Sequence, residues 1–139
     1  MLPERVVPKI QTILNALDCN NSELSVLFID DSEITEMNLS YRGKEGPTNV
    51  LSFPMHEGDF GDINPGLLGD IVISLETAMD EATKAAISFE ERLSQLLIHG
   101  ILHLLGYDHE RGLEDQDIME RKSIELLRVV EENTDLDFF

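Results

Sequence analysis

Three of the four histidines of this chain fall in one short run, His99-Gly-Ile-Leu-His103-Leu-Leu-Gly-Tyr-Asp-His109. His99 and His103 are four residues apart, and on a helix side chains at that spacing leave the same face one turn apart. Two imidazoles so placed can share one metal ion. His109 cannot join them while the helix continues, because ten residues from His99 at about 100° each carry it to another side. Gly106 is a residue at which a helix can stop and the chain turn back, so the third ring can close the site from a loop. Three neutral imidazoles hold zinc at about 2.0–2.1 Å and leave a fourth position for water, the open coordination of a catalytic ion. Cys19 is the only cysteine, which excludes a cysteine-rich structural site.

Paired histidines on an apolar helix also occur as ordinary core or rim residues. The third histidine beyond a helix-stopping glycine, with Asp108 beside it as an acceptor for a ring N–H, favours the metal. His56, in a loop rich in Gly and Asp, reads as an ordinary surface histidine. An ion held by three neutral ligands keeps its full positive charge, which suits it to polarising a phosphoryl oxygen and to lowering the pKa of bound water to about 7. A phosphodiester is a reasonable substrate. Arg42 can add a forked donor that matches two phosphate oxygens and stabilises charge in the transition state; the alternative is a solvated loop arginine. Asp70 reads as a strand-end residue bonding nearby backbone in preference to an acceptor behind the metal ligands. Asp108 and Glu110 could shuttle protons, although plain exposure explains them equally well.

The elements that must position these groups follow from hydrophobic spacing. Val6, Val7, Ile10, Ile13, Leu14 and Leu17 predict a helix over residues 3–17, with Pro3 and Pro8 early enough to cost little. Residues 25–29 are rich in strand formers and stop at Asp30-Asp31, after which Ser32 can cap a second helix towards Tyr41. Residues 42–48 hold two glycines and a proline and read as a loop, with a strand over 49–53. A polar loop spans 55–66, a buried strand 69–74, and a helix about 75–86. Ser88 with Glu91 three residues on fits a capping box that starts the histidine-bearing helix near Phe89. Gly112 precedes a last acidic helix carrying Ile118, Ile124, Leu127 and Val130. These elements predict an α+β fold: one compact domain over 1–139, a small mixed β-sheet packed on one side of about five helices, and the metal site at the end of the helix bearing both histidines.

Composition bounds the rest. At 139 residues and 42% hydrophobic the chain can bury one core of moderate size. No run reaches the ~18 apolar residues of a membrane span, and no basic region followed by an apolar run opens the chain, so a cytoplasmic location is expected. Ten basic against 28 acidic residues give a net charge of −18, a poor composition for gripping a polyanion without specificity. By segment the charge is −5 over 1–41, +1 over 42–54, −6 over 55–86, −2 over 87–111 and −6 over 112–139. Arg42 and Lys44 therefore stand in the only stretch that is not negative.

Three segments, Tyr41-Arg-Gly-Lys-Glu-Gly-Pro-Thr-Asn-Val-Leu-Ser-Phe-Pro54, Leu68-Gly-Asp-Ile-Val-Ile-Ser74 and His99 to His109, resemble in order and spacing the YbeY family of bacterial ribosomal RNA maturation factors. The resemblance runs from residue 1 to about 130. It implies a compact α+β domain and a zinc-dependent, single-strand-specific endoribonuclease acting in 16S rRNA 3′-end maturation and late-stage ribosome quality control. It places the metal ligands on His99, His103 and His109 and the functionally important arginine on Arg42. The implied partners are single-stranded rRNA and the small ribosomal subunit with its proteins; the implied cofactor is one Zn2+, although three imidazoles also accept other divalent transition metals. Binding to naked RNA is expected to be weak and salt-sensitive, with recruitment through protein contacts.

Two other functions share parts of this pattern. A zinc peptidase also uses histidines at i, i+4, but its helix carries a glutamate general base after the first histidine, and position 100 here is glycine. A non-enzymatic ribosome assembly factor with a structural zinc would use the acidic surface to dock basic ribosomal proteins.

Overall fold

In a computed structural model of the chain, the described residues are 2–19, 21–55, 66–107, 113–133 and 136. Helix α1 (Leu2–Ala16) is followed by β1 (Glu23–Ile29), α2 (Asp31–Arg42), β2 (Val50–Pro54), β3 (Leu67–Ser74), α3 (Leu75–Ala85), α4 (Phe89–Leu104) and α5 (Leu113–Val130). The strands form one mixed sheet in the order β1-β3-β2, with β1 parallel and β2 antiparallel to the central β3. This is the α+β domain expected, with a small mixed sheet and, among the described residues, five helices.

Strand alternation sends β3 side chains into two cores. Ile71 and Ile73 join the larger one, in which Leu97, Ile98, Ile101 and Leu102 of α4, Ile13 of α1 and Leu126 and Leu127 of α5 are fully enclosed. Val72 points the other way, into a smaller cluster with Leu51 and with Ile34 and Met37 of α2. The helices therefore do not all lie on one side of the sheet: α2 covers the opposite face. Its apolar residues Ile34 and Met37 are too few for a second full layer, and part of that face stays open.

Three boundaries lie two residues from those read in the sequence, each for a tertiary reason. Asp30, not Ser32, caps α2: β1 holds the chain extended through Ile29, and the Asp30 carboxylate then accepts from the Glu33 N–H at 2.8 Å. The strands β1 and β3 each begin two residues early because they pair from Glu23 and Leu67 onward. Both run into helix N-termini that cap each other. Ser74 caps α3, its Oγ donates to Asp31 Oδ1 at 2.5 Å, Thr77 Oγ1 donates to the same oxygen, and the Asp31 N–H donates to Glu76 Oε1 at 2.9 Å. Those two hydroxyls hold the Asp31 carboxyl below its ordinary pKa. Among the described residues, no helix is long and apolar enough to cross a membrane.

Candidate metal centre

Helix α4 starts where the capping box predicts, with Ser88 Oγ accepting from the Glu91 N–H at 3.0 Å. Its end matches expectation too. Gly106 takes a φ of 97°, and the N–H groups of Gly106 and Tyr107 return to the carbonyls of His103 and Leu102, each at 3.0 Å. The helix thus stops immediately beyond His103, as a ligand arriving from the following loop requires.

His99 and His103 are half-buried on one face of α4 with their Nε2 atoms 3.0 Å apart, and their rings stand 4.4 Å apart at 69°. Two nitrogens bound to one tetrahedral zinc at about 2.05 Å are separated by ~3.3 Å. The observed spacing lies within a few tenths of an ångström of that, so this pair fits a shared ion with little movement. Among the described residues no third His, Cys, Asp or Glu joins them. The expected third ligand His109 lies outside the described residues, as do Asp108, Glu110, Gly112 and His56.

The pair is held at a set depth by the glycine between its members. Ideal Cβ geometry at Gly100 would put that atom 3.0 Å from Ile71 Cδ1 and 3.1 Å from Ile71 Cγ2, so a larger residue there would require the Ile71 side chain or α4 to give by a few tenths of an ångström. Ser52 Oγ of β2 donates to the Gly100 carbonyl at 3.4 Å from the same side. Position 100 is where the peptidase helix carries its general base. Here that position faces the sheet, which counts against the peptidase reading independently of the missing glutamate.

One turn before His99, Gln95 is fully buried, and its Oε1 accepts from Arg92 Nη1 at 2.5 Å. Arg92 donates through Nε and Nη2 to Glu81 Oε1 of α3 at 3.1 and 3.0 Å, and Asn49 Nδ2 donates to the same oxygen at 3.2 Å. A polar chain therefore ties the histidine helix to α3 and to Asn49, the residue immediately before β2. Sequence reasoning missed it, although Arg92, Gln95, His99 and His103 fall on one stripe of an otherwise apolar helix.

Arg42 is the exposed last residue of α2. Gly43 follows in the left-handed region at φ 66°, and its N–H caps the helix through the Leu39 carbonyl at 3.1 Å. Buried Asn38 draws the loop back by donating from Nδ2 to the Gly46 carbonyl at 3.0 Å, and its Oδ1 has no partner among the described residues. The described lysines and arginines outside this loop have carboxylate or carbonyl partners: Arg5 with Glu90, Lys9 with Glu131, Lys84 with Asp80, Arg92 with Glu81, Arg121 with Asp117, Lys122 with Glu125 and Arg128 with the Leu136 carbonyl. Among the described residues, Arg42 and Lys44 make no such pairing. Beside them Tyr41 is 68% exposed and stands edge-on to Phe53 at 5.1 Å, an aromatic surface the sequence reading did not single out. Asp70 is exposed on β3, aligned with Ser25 and Phe53.

The family model described as Endoribonuclease YbeY matches residues 3–131. The chain belongs to the YbeY family. Relatives named Endoribonuclease YbeY include those of Syntrophotalea carbinolica, 50% identical over 123 residues (88% of this chain and 82% of that protein), and Geobacter sulfurreducens, 52% identical over 122 residues (87% and 81%). The YbeY relative of Aquifex aeolicus is 53% identical over 103 residues, 74% of this chain and 67% of its own. The fold is similar to the solution structure of a Thermotoga maritima protein, with a TM-score of 0.67 and 30% identity over 93% of this chain and 81% of the other.

Proposed function

We propose that this protein is a metal-dependent endoribonuclease that cleaves single-stranded RNA. The observation that carries the reading is the convergence of His99 and His103 Nε2 at 3.0 Å on a helix that ends at once beyond them. His99, His103 and, from the sequence, His109 would hold one zinc ion. Bound there, zinc would supply a Lewis acid and lower the pKa of a water at the open position to about 7.

The other residues bind and orient the strand. Arg42 places a guanidinium with no partner among the described residues where it can fork onto two phosphate oxygens, and charge developing on them strengthens that contact. Lys44 adds a second cation in the same loop. Tyr41 offers an exposed ring on which an unpaired base can stack, which selects single strands over duplex. Gly100 and Ser52 keep the imidazoles at constant depth while the substrate docks.

A net charge of −18 leaves little general attraction for RNA, so delivery to the substrate falls to protein contacts. With the family resemblance, this supports a cytoplasmic role in 16S rRNA 3′-end maturation and late-stage ribosome quality control, with the small subunit and its basic proteins as partners.

The test is cleavage of a single-stranded RNA by wild type and His103→Ala, each stripped of metal and then resupplied, with bound metal measured in parallel. Cleavage that needs both His103 and added metal supports the reading. Equal cleavage by the two proteins, or metal binding without cleavage by either, would sink it and leave a structural ion in an assembly factor.

A further inference from the structure

Glu81 of α3 gathers side chains from two other parts of the chain on one carboxylate. Its Oε1 accepts from Arg92 of α4, through Nε at 3.1 Å and Nη2 at 3.0 Å, and from Asn49 Nδ2 at 3.2 Å; Asn49 Nδ2 also reaches Oε2 at 3.3 Å. The side chains of Arg92 and Glu81 are only 18% and 33% exposed. An ion pair so enclosed adds little net stability over apolar residues of the same shape, because desolvation offsets the attraction. Its charge-assisted bonds do fix direction, and direction matters here because of what Asn49 joins.

Asn49 ends the loop that begins after Arg42 and carries Lys44. Its carbonyl accepts from the Ser74 N–H at 3.0 Å, so main chain and side chain are both fastened. Earlier in the loop, Asn38 of α2 donates to the Gly46 carbonyl, so a shift at Asn49 is passed to the last turn of α2. Three residues beyond Asn49, Ser52 Oγ donates to the Gly100 carbonyl of α4 at 3.4 Å. From Asn49 to Ser52 is ~10 Å along a strand, and from Arg92 to Gly100 is ~12 Å along a helix. The strand β2 and the helix α4 are thus joined at two points of matched spacing, through Glu81 at one and directly at the other. Neither can slide along its neighbour without breaking a bond. His99 adjoins the second point and lies about two turns from Arg92 on the same stripe of α4. The register of β2 on α4 is therefore the register of the Arg42 loop against the paired imidazoles.

We propose that Glu81 is a positioning residue for RNA cleavage: by fastening Asn49 to Arg92, it holds the Arg42 guanidinium at a set distance from His99 and His103. Glu81 has this role only if the protein cleaves RNA as proposed above, and it acts through Asn49 and Arg42, not on the substrate itself. A strand gripped by Arg42 then meets the imidazoles without a search, the kind of alignment whose loss by ~1 Å can cost a large factor in rate.

The test is single-turnover cleavage of a single-stranded RNA at saturating protein by zinc-loaded wild type, Asn49→Ala, Arg42→Ala and the double variant. Zinc affinity is read by calorimetry, and amide hydrogen exchange of residues 43–50 is followed in the metal-free proteins. Asn49→Ala spares the pair of Glu81 with Arg92 and removes only the link to the loop. Its rate should fall about tenfold, as for a displacement of ~1 Å or less, while zinc affinity stays within about twofold and the loop amides exchange faster. In the Arg42→Ala background the same substitution should cost little, since no guanidinium is left to place. Glu81→Gln keeps the shape of the side chain and loses its charge; its loss should be smaller and again vanish without Arg42. Losses that multiply, unchanged loop exchange, or a fall in zinc affinity as large as the fall in rate would overturn the assignment of Glu81 and leave the cleavage reading standing. A wild type that does not cleave would overturn both, and that outcome is plain before any variant is compared.

Discussion

Ile71 occupies the volume that a side chain on Gly100 would need, its Cδ1 lying 3.0 Å from where a Cβ would stand. One contact between the central strand and the central helix thereby sets the depth of both histidines that flank the glycine. Gly100→Ala should gain helix propensity of about 1 kcal/mol and lose about 1–3 kcal/mol to overpacking, for a net destabilisation. Urea unfolding of Gly100→Ala, Ile71→Val and the double variant checks this. The double variant should recover part of the loss, and strictly additive values would refute the steric coupling.

Gly69 predicts a harsher outcome. Its φ of 143° is a region that L side chains avoid, and a Cβ there would meet the Phe53 carbonyl oxygen at 2.2 Å. Because that oxygen belongs to the paired strand β2, relief requires breaking the register. Gly69→Ala should cost about 3 kcal/mol or more, read as a large drop in the urea midpoint or a failure to accumulate folded protein.

Metal should stabilise the folded chain through the paired imidazoles. Zinc at a hundredfold excess over its dissociation constant should add about 2.7 kcal/mol to wild type, raising its melting temperature, and far less to His103→Ala. Because His103 is half-buried and outside the apolar core, the metal-free proteins should melt close together. Calorimetry with and without zinc reads both quantities.

Arg42→Ala should lower RNA cleavage about 10²- to 10³-fold while shifting stability by less than ~0.5 kcal/mol, since the side chain is exposed and makes no ion pair among the described residues. Arg42→Lys should restore only part of the rate, because an ammonium lacks the forked geometry. Single-turnover cleavage beside thermal melts separates the two effects. A variant with full activity would refute a role in phosphate contact.

Asp31 predicts a pH-dependent contribution to stability. The Ser74 and Thr77 hydroxyls lower its folded pKa, so the stabilisation is complete above the unfolded value of ~3.9 and fades as pH falls through the lower folded value. Asp31→Ala should cost about 1 kcal/mol at neutral pH. The gap from wild type should narrow in unfolding experiments carried out near pH 3. A constant gap would show that the charge is irrelevant to the caps.

Local signals dominate what was readable beforehand. The span of α4 followed from Ser88, Glu91 and Gly106, because caps and left-handed turns are decided by near neighbours in the chain. The cap of α2 was misplaced by two residues, because its position depends on how far β3 holds β1 extended. The network of Gln95, Arg92, Glu81 and Asn49 went unseen because its members come from separate elements, as did the burial of Ser74 beneath Asp31.

The spacing of His99 and His103 by itself determined that two imidazoles share one face, since helical geometry depends only on the residues within it. The same chain, read alone, showed the acidic balance and the one stretch that escapes it. Only the tertiary structure decided that Gly100 is the contact seating α4 on Ile71 and that α2 lies on the far face. Each of those depends on which distant segments meet, and packing of that kind is settled by shape and burial across the whole fold, not by any local pattern.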